Sequence, residues 1–140
     1  MDIQPTIITT TVPGTPDDLY EHIGGMETCR RLAAAFYARV DSDPVLRSMF
    51  PHDLSQAIDH LALFLAQRFG GPDTYSVQRG HPRLRMRHQP FQIGRAERDA
   101  WLGHMLAAMN EAGIYEPASS IMWRYFEDSA TFLINAGDAR

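Results

Sequence analysis

Three observations predict an all-α domain. Outside the Thr-rich start, no run of four or more residues alternates cleanly between apolar and polar, and β-branched residues are sparse in the body of the chain. Apolar residues instead recur at three- and four-residue steps, the period of a helix with one buried face. Gly-Gly pairs and Pro residues punctuate these stretches where helices would stop. The stripes are wide and rich in Phe, Met and Trp, which suits either a self-packed bundle or one enclosing a flat apolar ligand.

Each element can be justified in order. Residues 1–16 are Thr- and Pro-rich and read as a flexible tail, so the domain is expected over 17–140. Thr15-Pro16-Asp17-Asp18 offers an N-cap with Pro at the first helical position, and Leu19, Tyr20 and Ile23 then precede Gly24-Gly25, which makes a very short helix. From Met26, the residues Leu32, Ala35, Phe36 and Val40 mark a helix of about four turns that ends at Asp41-Ser42-Asp43-Pro44. Pro44 opens a short turn carrying Val45, Leu46, Met49 and Phe50, and Pro51 biases Phe50 away from helical conformation. Asp53 is an acidic N-cap candidate for a long helix through Ala57, Ile58, Leu61, Phe64, Leu65 and Phe69 to Gly70-Gly71-Pro72. Between Pro72 and Pro90 the pattern degrades into a loop, in which only His81 to His88 holds two turns, with Leu84 and His88 on one face. Gly94 begins a helix with Ala100, Trp101, Met105, Ala108 and Met109 on a shared face, ending near Gly113. A last helix after Pro117 carries Ile121, Met122, Tyr125, Phe126, Phe132 and Leu133, and no internal repeat is visible.

Composition narrows the chemistry. At 140 residues a single core hides roughly two thirds of the unfolded surface, so neither disulfide nor metal is needed to hold the fold. All 13 basic residues are Arg, which removes a P-loop lysine and any lysine Schiff base. The lone Cys29 cannot form an internal disulfide, a Cys-rich zinc site, an iron–sulfur cluster or a covalent haem attachment, and fits a reducing cytoplasm. The start has no basic n-region or signal-length apolar run, and no segment approaches the roughly 18 apolar residues of a membrane span. A net charge of −4 argues against nucleic acid as partner, although Arg79, Arg83, Arg85 and Arg87 form a local basic cluster.

The segment from Gly70-Gly71-Pro72 through His81-Pro82-Arg83-Leu84-Arg85-Met86-Arg87-His88 to Pro90-Phe91, followed by Ile93-Gly94 and Glu97-Arg98-Asp99-Ala100-Trp101-Leu102, closely resembles the truncated haemoglobins of group II. The likeness extends to Gly24-Gly25, Phe36-Tyr37, Phe50-Pro51 and the stretch from Tyr125-Phe126 to Asn135, and so covers about residues 17 to 136. It implies a two-over-two helical globin sandwich enclosing a non-covalent haem b, with a nearly absent first helix and a loop in place of most of the proximal helix.

By the same resemblance His88 is the proximal iron ligand. On the residues alone it would read as a capping or surface histidine, as His22, His52, His60, His81 and His104 do. Tyr37 and Trp101 match distal hydrogen-bond donors, which would stabilise a diatomic ligand that gains negative charge on binding. Without the resemblance both read as core aromatics. Ala57 takes the place of a distal His or Gln and donates nothing, and Leu61 lies one turn on. Phe50 packs against the haem but adds no third donor. Leu61, Phe64, Leu84, Phe91, Ile93, Met105 and Met122 would complete the apolar walls, or be plain core. Arg85 and Arg87 are favoured for the haem propionates, with Arg83, His60 and Tyr75 as further candidates and a solvated face as the other account of any one Arg.

The implied function is reversible binding of O2, together with NO and CO. The alternative is a haem enzyme that oxidises NO to nitrate or acts on H2O2. It would need a separate reductase, because the chain has no flavin or nicotinamide fingerprint. A haem-free helical signalling or anion-binding module is a third reading. Monomer and homo-oligomer are both compatible with the sequence.

Overall fold

A computed structural model describes residues 19–136; the expected tail and the Thr15-Pro16 helix start lie outside the described residues. Among the described residues the chain is helical and contains no strand. Helix α1 (Tyr20–Ile23) is a single turn that ends at Gly24, whose φ of 112° lies in the left-handed region that favours glycine. It is tied down by Leu19, which is buried, and by the Tyr20 N–H, which donates to the Phe69 carbonyl at 2.7 Å. Helix α2 (Gly25–Val40) buries Cys29, Leu32, Ala33, Phe36, Tyr37 and Val40, alternating steps of three and one along one face.

The corner after α2 is more organised than its sequence suggests. Asp43 Oδ1 accepts from the Val45 N–H at 2.8 Å, and a 3-10 turn follows over Arg47–Met49. Phe50 is then extended (φ −127°, ψ 152°), as the following Pro51 requires. The Arg47 guanidinium donates to the carbonyls of Phe50, Pro51 and His52 at 3.2, 2.9 and 2.8 Å, satisfying three backbone acceptors of this loop.

Helix α3 (Ser55–Arg68) has Leu54 at its N-cap, not Asp53 as expected; Asp53 stands one residue earlier, where its Oδ1 accepts from the Ser55 N–H at 2.9 Å. It ends in a Schellman motif: Gly70 (φ 98°) donates to Gln67 O and Gly71 to Ala66 O. The following segment corrects the sequence reading, because Thr74–Arg79 forms a helix, α4, where only loop was expected. Its support is tertiary: Gln67 exchanges hydrogen bonds with the Ser76 hydroxyl and N–H, and buried Tyr75 meets the Phe64 ring edge-on at 5.6 Å. Helix α5 (Leu84–His88) begins later than His81 because Arg83 sits at φ 47°, outside helical conformation.

Helix α6 (Arg95–Glu111) begins with Glu97 Oε1 accepting from the Gly94 N–H at 2.8 Å, and α7 (Ala118–Phe132) follows Pro117. Helices α2 and α3 form one packed pair and α6 and α7 the other, and α2 crosses onto α6 between them. This is a two-over-two helical sandwich. Phe36, Phe69, Phe126, Leu32, Leu65, Met105, Met109 and Met122 are fully buried at its centre. Each such side chain contributes roughly 1.5–3 kcal/mol by leaving water.

Candidate functional site

Beside that core lies a cavity of about 350 Å³, within the range of about 300–1,000 Å³ usual for small-molecule and cofactor pockets. Leu61 and Phe64 from α3, Leu84 from α5, and Phe50 and Ile93 from the connecting segments give it apolar walls. His88, at the end of α5, lines it and is half-buried. Its Nδ1 lies 2.7 Å from the Leu84 carbonyl oxygen, which can only accept. Nδ1 therefore carries a proton, and in the neutral ring the lone pair is on Nε2.

The segment after His88 is clasped by one side chain. Asn135 Oδ1 accepts from the Ile93 N–H at 2.8 Å, while its Nδ2 donates to the Phe91 and His88 carbonyls at 2.9 and 3.4 Å. The N–H groups of Asn135 and Ala136 both donate to the Ile93 carbonyl. The chain beyond α7 thus fixes the loop that carries His88.

Tyr37 and Trp101 line the same cavity from α2 and α6. Tyr37 meets Phe36 and Phe50 edge-on at 5.0 and 5.3 Å, and Trp101 packs on Phe36 and Phe126 at 5.1 and 5.5 Å. These contacts fix both rings. Among the described residues, neither the Tyr37 hydroxyl nor the Trp101 indole N–H has a hydrogen-bond partner. Burial pushes the Tyr37 phenol above its ordinary range, so at neutral pH it stays protonated and able to donate. Ala57 also lines the cavity and presents only a methyl group.

Phe91 and Arg87 complete the expected lining. The Arg87 guanidinium is held by the Pro82 and Arg79 carbonyls at 2.7 and 2.9 Å. Of the further candidates, Tyr75 and His60 line the cavity as well. His60 is half-buried rather than a surface residue, and its imidazole is pushed below its usual range, first by burial and then by the charge of Arg79, whose Nη1 lies 3.3 Å away.

Three of the expected residues, and one of the further candidates, are not brought to the cavity. Met105 and Met122 are wholly buried in the central core, because they point between the helix pairs. Arg85 is exposed, with its guanidinium 4.8 Å above the Phe132 ring. Arg83 is also exposed and outside the lining.

Sequence reasoning missed other lining residues. Leu46 and Met49 come from the corner, Tyr125, Phe126, Ser129 and Ala130 from α7 and Leu133 from its C-cap, where steps of three and four from Met122 mark the face that leads to them. Arg98 lines the cavity too, its Nη1 donating to the Thr131 hydroxyl at 3.0 Å.

No group of three His, Cys, Asp or Glu side chains capable of holding a metal ion occurs among the described residues. A single imidazole lone pair in an apolar cavity therefore suits a metal already chelated within a flat prosthetic group, to which the protein need add only an axial ligand. The walls are apolar, two unpartnered donors face the same space as the imidazole, and an Arg stands among the lining residues. This donor set fits haem.

Comparison with known proteins points the same way. Residues 18–135 match the family described as bacterial-like globin. The chain is 38% identical over 120 residues to "Group 2 truncated hemoglobin YjbI" of Bacillus subtilis, covering 86% of this chain and 90% of that protein. Among solved structures, the hemoglobin of Chloroflexus aurantiacus is 58% identical with a TM-score of 0.82, covering 88% of this chain and 99% of the other. The group II truncated hemoglobin of Bacillus anthracis superposes with a TM-score of 0.84 at 34% identity, covering 90% of this chain and 100% of that one.

Proposed function

The chain belongs to the bacterial-like globin family, as a group II truncated haemoglobin, and from that premise we propose that it holds haem b non-covalently in the cavity and reversibly binds O2, with NO and CO as further ligands. The observation that carries the reading is the His88 imidazole, oriented by its Nδ1–H···O=C bond to Leu84, in an apolar cavity that also holds the Tyr37 and Trp101 donors. When bound, haem supplies an iron with one open coordination position.

The protein's own part is to orient and to donate. Asn135 and the Leu84 carbonyl fix the loop and ring of His88, so its Nε2 is presented without rearrangement. Tyr37 and Trp101, which line the same cavity, would donate to a ligand as charge develops on it, each hydrogen bond to such an acceptor contributing about 1.5–3 kcal/mol. Arg87 and His60 are the candidates for the propionates, with their guanidinium and imidazole at the cavity wall.

The test is reconstitution followed by absorption spectroscopy. Wild type should take one haem per chain with a five-coordinate ferrous spectrum. His88→Ala should lose haem at least tenfold faster or show a changed ferrous spectrum, and an unchanged spectrum and off-rate in that variant would count decisively against the assignment. The second reading, a haem enzyme that oxidises NO or works on H2O2, uses the same residues and requires an external electron donor. The charged surface around α5 is the feature that bears on it.

A further inference from the structure

The cavity absorbs only part of the basic cluster. Residues 79–98 contain six Arg and a single acid, Glu97, a local charge of +5 in a chain of net −4, so the other residues carry −9. Two neighbouring acids are engaged: Glu97 accepts from the Gly94 N–H, and Asp99 from Arg98 Nε at 2.9 Å. Arg83 and Arg85 are exposed and lie outside the cavity lining.

This charge surrounds exposed apolar surface. Arg85 lies over the Phe132 ring, which is 55% exposed, and its chain neighbour Met86 is 56% exposed. Phe91, 38% exposed, is joined to the end of α7 through Asn135, so α5 and the α7 terminus present one face. Aromatic rings and Met at the centre with Arg around them is the composition of a protein–protein contact. A nucleic-acid surface would instead follow phosphates with charge alone. Phe91 both lines the cavity and reaches this face, so a partner seated here lies against the cavity's edge.

We propose that this face docks the acidic surface of a one-electron carrier protein that reduces the iron of the haem from ferric to ferrous; the inference rests on the haem reading. In that step the reduced carrier loses one electron and the ferric iron gains it, and no bond is formed or broken. Opposite charge would orient the encounter and raise its rate, with strong salt dependence.

The probes are an acidic FMN flavodoxin and an acidic [2Fe–2S] ferredoxin, titrated calorimetrically into the full chain with and without haem. Arg83→Glu/Arg85→Glu should weaken binding about tenfold or more at low salt, and Arg85→Glu alone severalfold. Arg30→Glu, the same charge change on α2, should change it less than about twofold. Reduction of the ferric protein by the carrier should slow in parallel, while reduction by a small neutral reductant stays unchanged. Arg85→Gln, which removes charge without adding any, should show an intermediate loss if the reversal disturbs folding.

Absence of binding by both carriers would overturn the proposal, as would equal weakening by Arg30→Glu. Preferential binding of duplex DNA or anionic vesicles, lost on Arg85→Glu, would reassign the surface. A chain that takes haem but binds no carrier loses only the docking proposal. One that binds carriers but takes no haem loses the haem reading.

Discussion

The Nδ1–H of His88 is committed to the Leu84 carbonyl, which leaves Nε2 as the ring nitrogen free to act as a ligand. Tyr37 and Trp101 differ from His88 in that either could be replaced by a phenyl ring that keeps much of its apolar volume, so that the loss of a donor weighs more than the loss of packing. Tyr37→Phe and Trp101→Phe should each accelerate O2 dissociation roughly tenfold or more, from the loss of one hydrogen bond to a charged acceptor. CO carries less negative charge when bound and should be affected less. Laser-flash and stopped-flow dissociation rates for both gases decide it: equal acceleration would mean altered packing, and none would remove both residues from the role. If the two donors share one network, the double variant will be non-additive by about 0.5–3 kcal/mol. Such roles were legible only through the family likeness. Nothing local distinguishes the ring of Trp101, which reaches the cavity, from Met105 one turn later, which is sealed in the core. That difference depends on which neighbour each helix face meets.

The long helices were legible because burial writes a stripe into α2, α3, α6 and α7, and because glycines must follow where α3 and α6 turn into left-handed backbone. Helix α4 was not. Its six residues include Val77, which is 76% exposed, and its order comes from Gln67 and Phe64 of a different helix, contacts that no local pattern carries. The segment from His88 to Ile93 is held the same way, since Asn135 reaches it across more than forty residues. Asn135→Ala leaves the Ile93 N–H and two carbonyls without these partners and should destabilise the fold by about 1–3 kcal/mol. Because the clasp includes the His88 carbonyl, the variant should also shift the iron–histidine stretching band in resonance Raman spectra. Arg47→Ala, which frees the carbonyls of Phe50, Pro51 and His52 and none in the His88 loop, should leave that band in place. A band that moves equally in both would mark Asn135 as a general stabiliser.

At the scale of the molecule, polar contacts link the helix pairs besides the core, Arg31 donating to the Ala112 carbonyl and Arg39 pairing with Glu111 among them, and two features carry predictions. One is the hydrogen bond between His104 Nε2 on α6 and Asp43 Oδ2 after α2, at 2.6 Å, with the carboxylate largely buried. The hydrogen bond from His104, and then that from the Val45 N–H, hold the Asp43 carboxyl below its ordinary 3.8. A carboxyl lowered on folding stabilises the native state above its unfolded value, and that contribution disappears as pH falls through the lower folded value. Asp43→Asn should therefore cost about 1 kcal/mol at neutral pH and converge on wild type in urea melts below pH 3.8. A constant difference across that range would show that the carboxylate's charge is not what matters. The other feature is the cavity itself, whose walls come from both helix pairs and from the segments joining them. A ligand that binds only the folded chain stabilises it by mass action, about 4 kcal/mol at a thousandfold excess over its dissociation constant. For a domain of this size that raises the melting temperature by roughly 8–16 °C. Hydrogen exchange should locate the gain. Amides of α5 and of the loop to Ile93 should gain the most protection with haem, because these parts line the cavity but supply no residue to the central core cluster. The α2–α6 contact should change least. Uniform protection along the chain, or a melting temperature indifferent to haem, would mean that the cavity is not where the group binds.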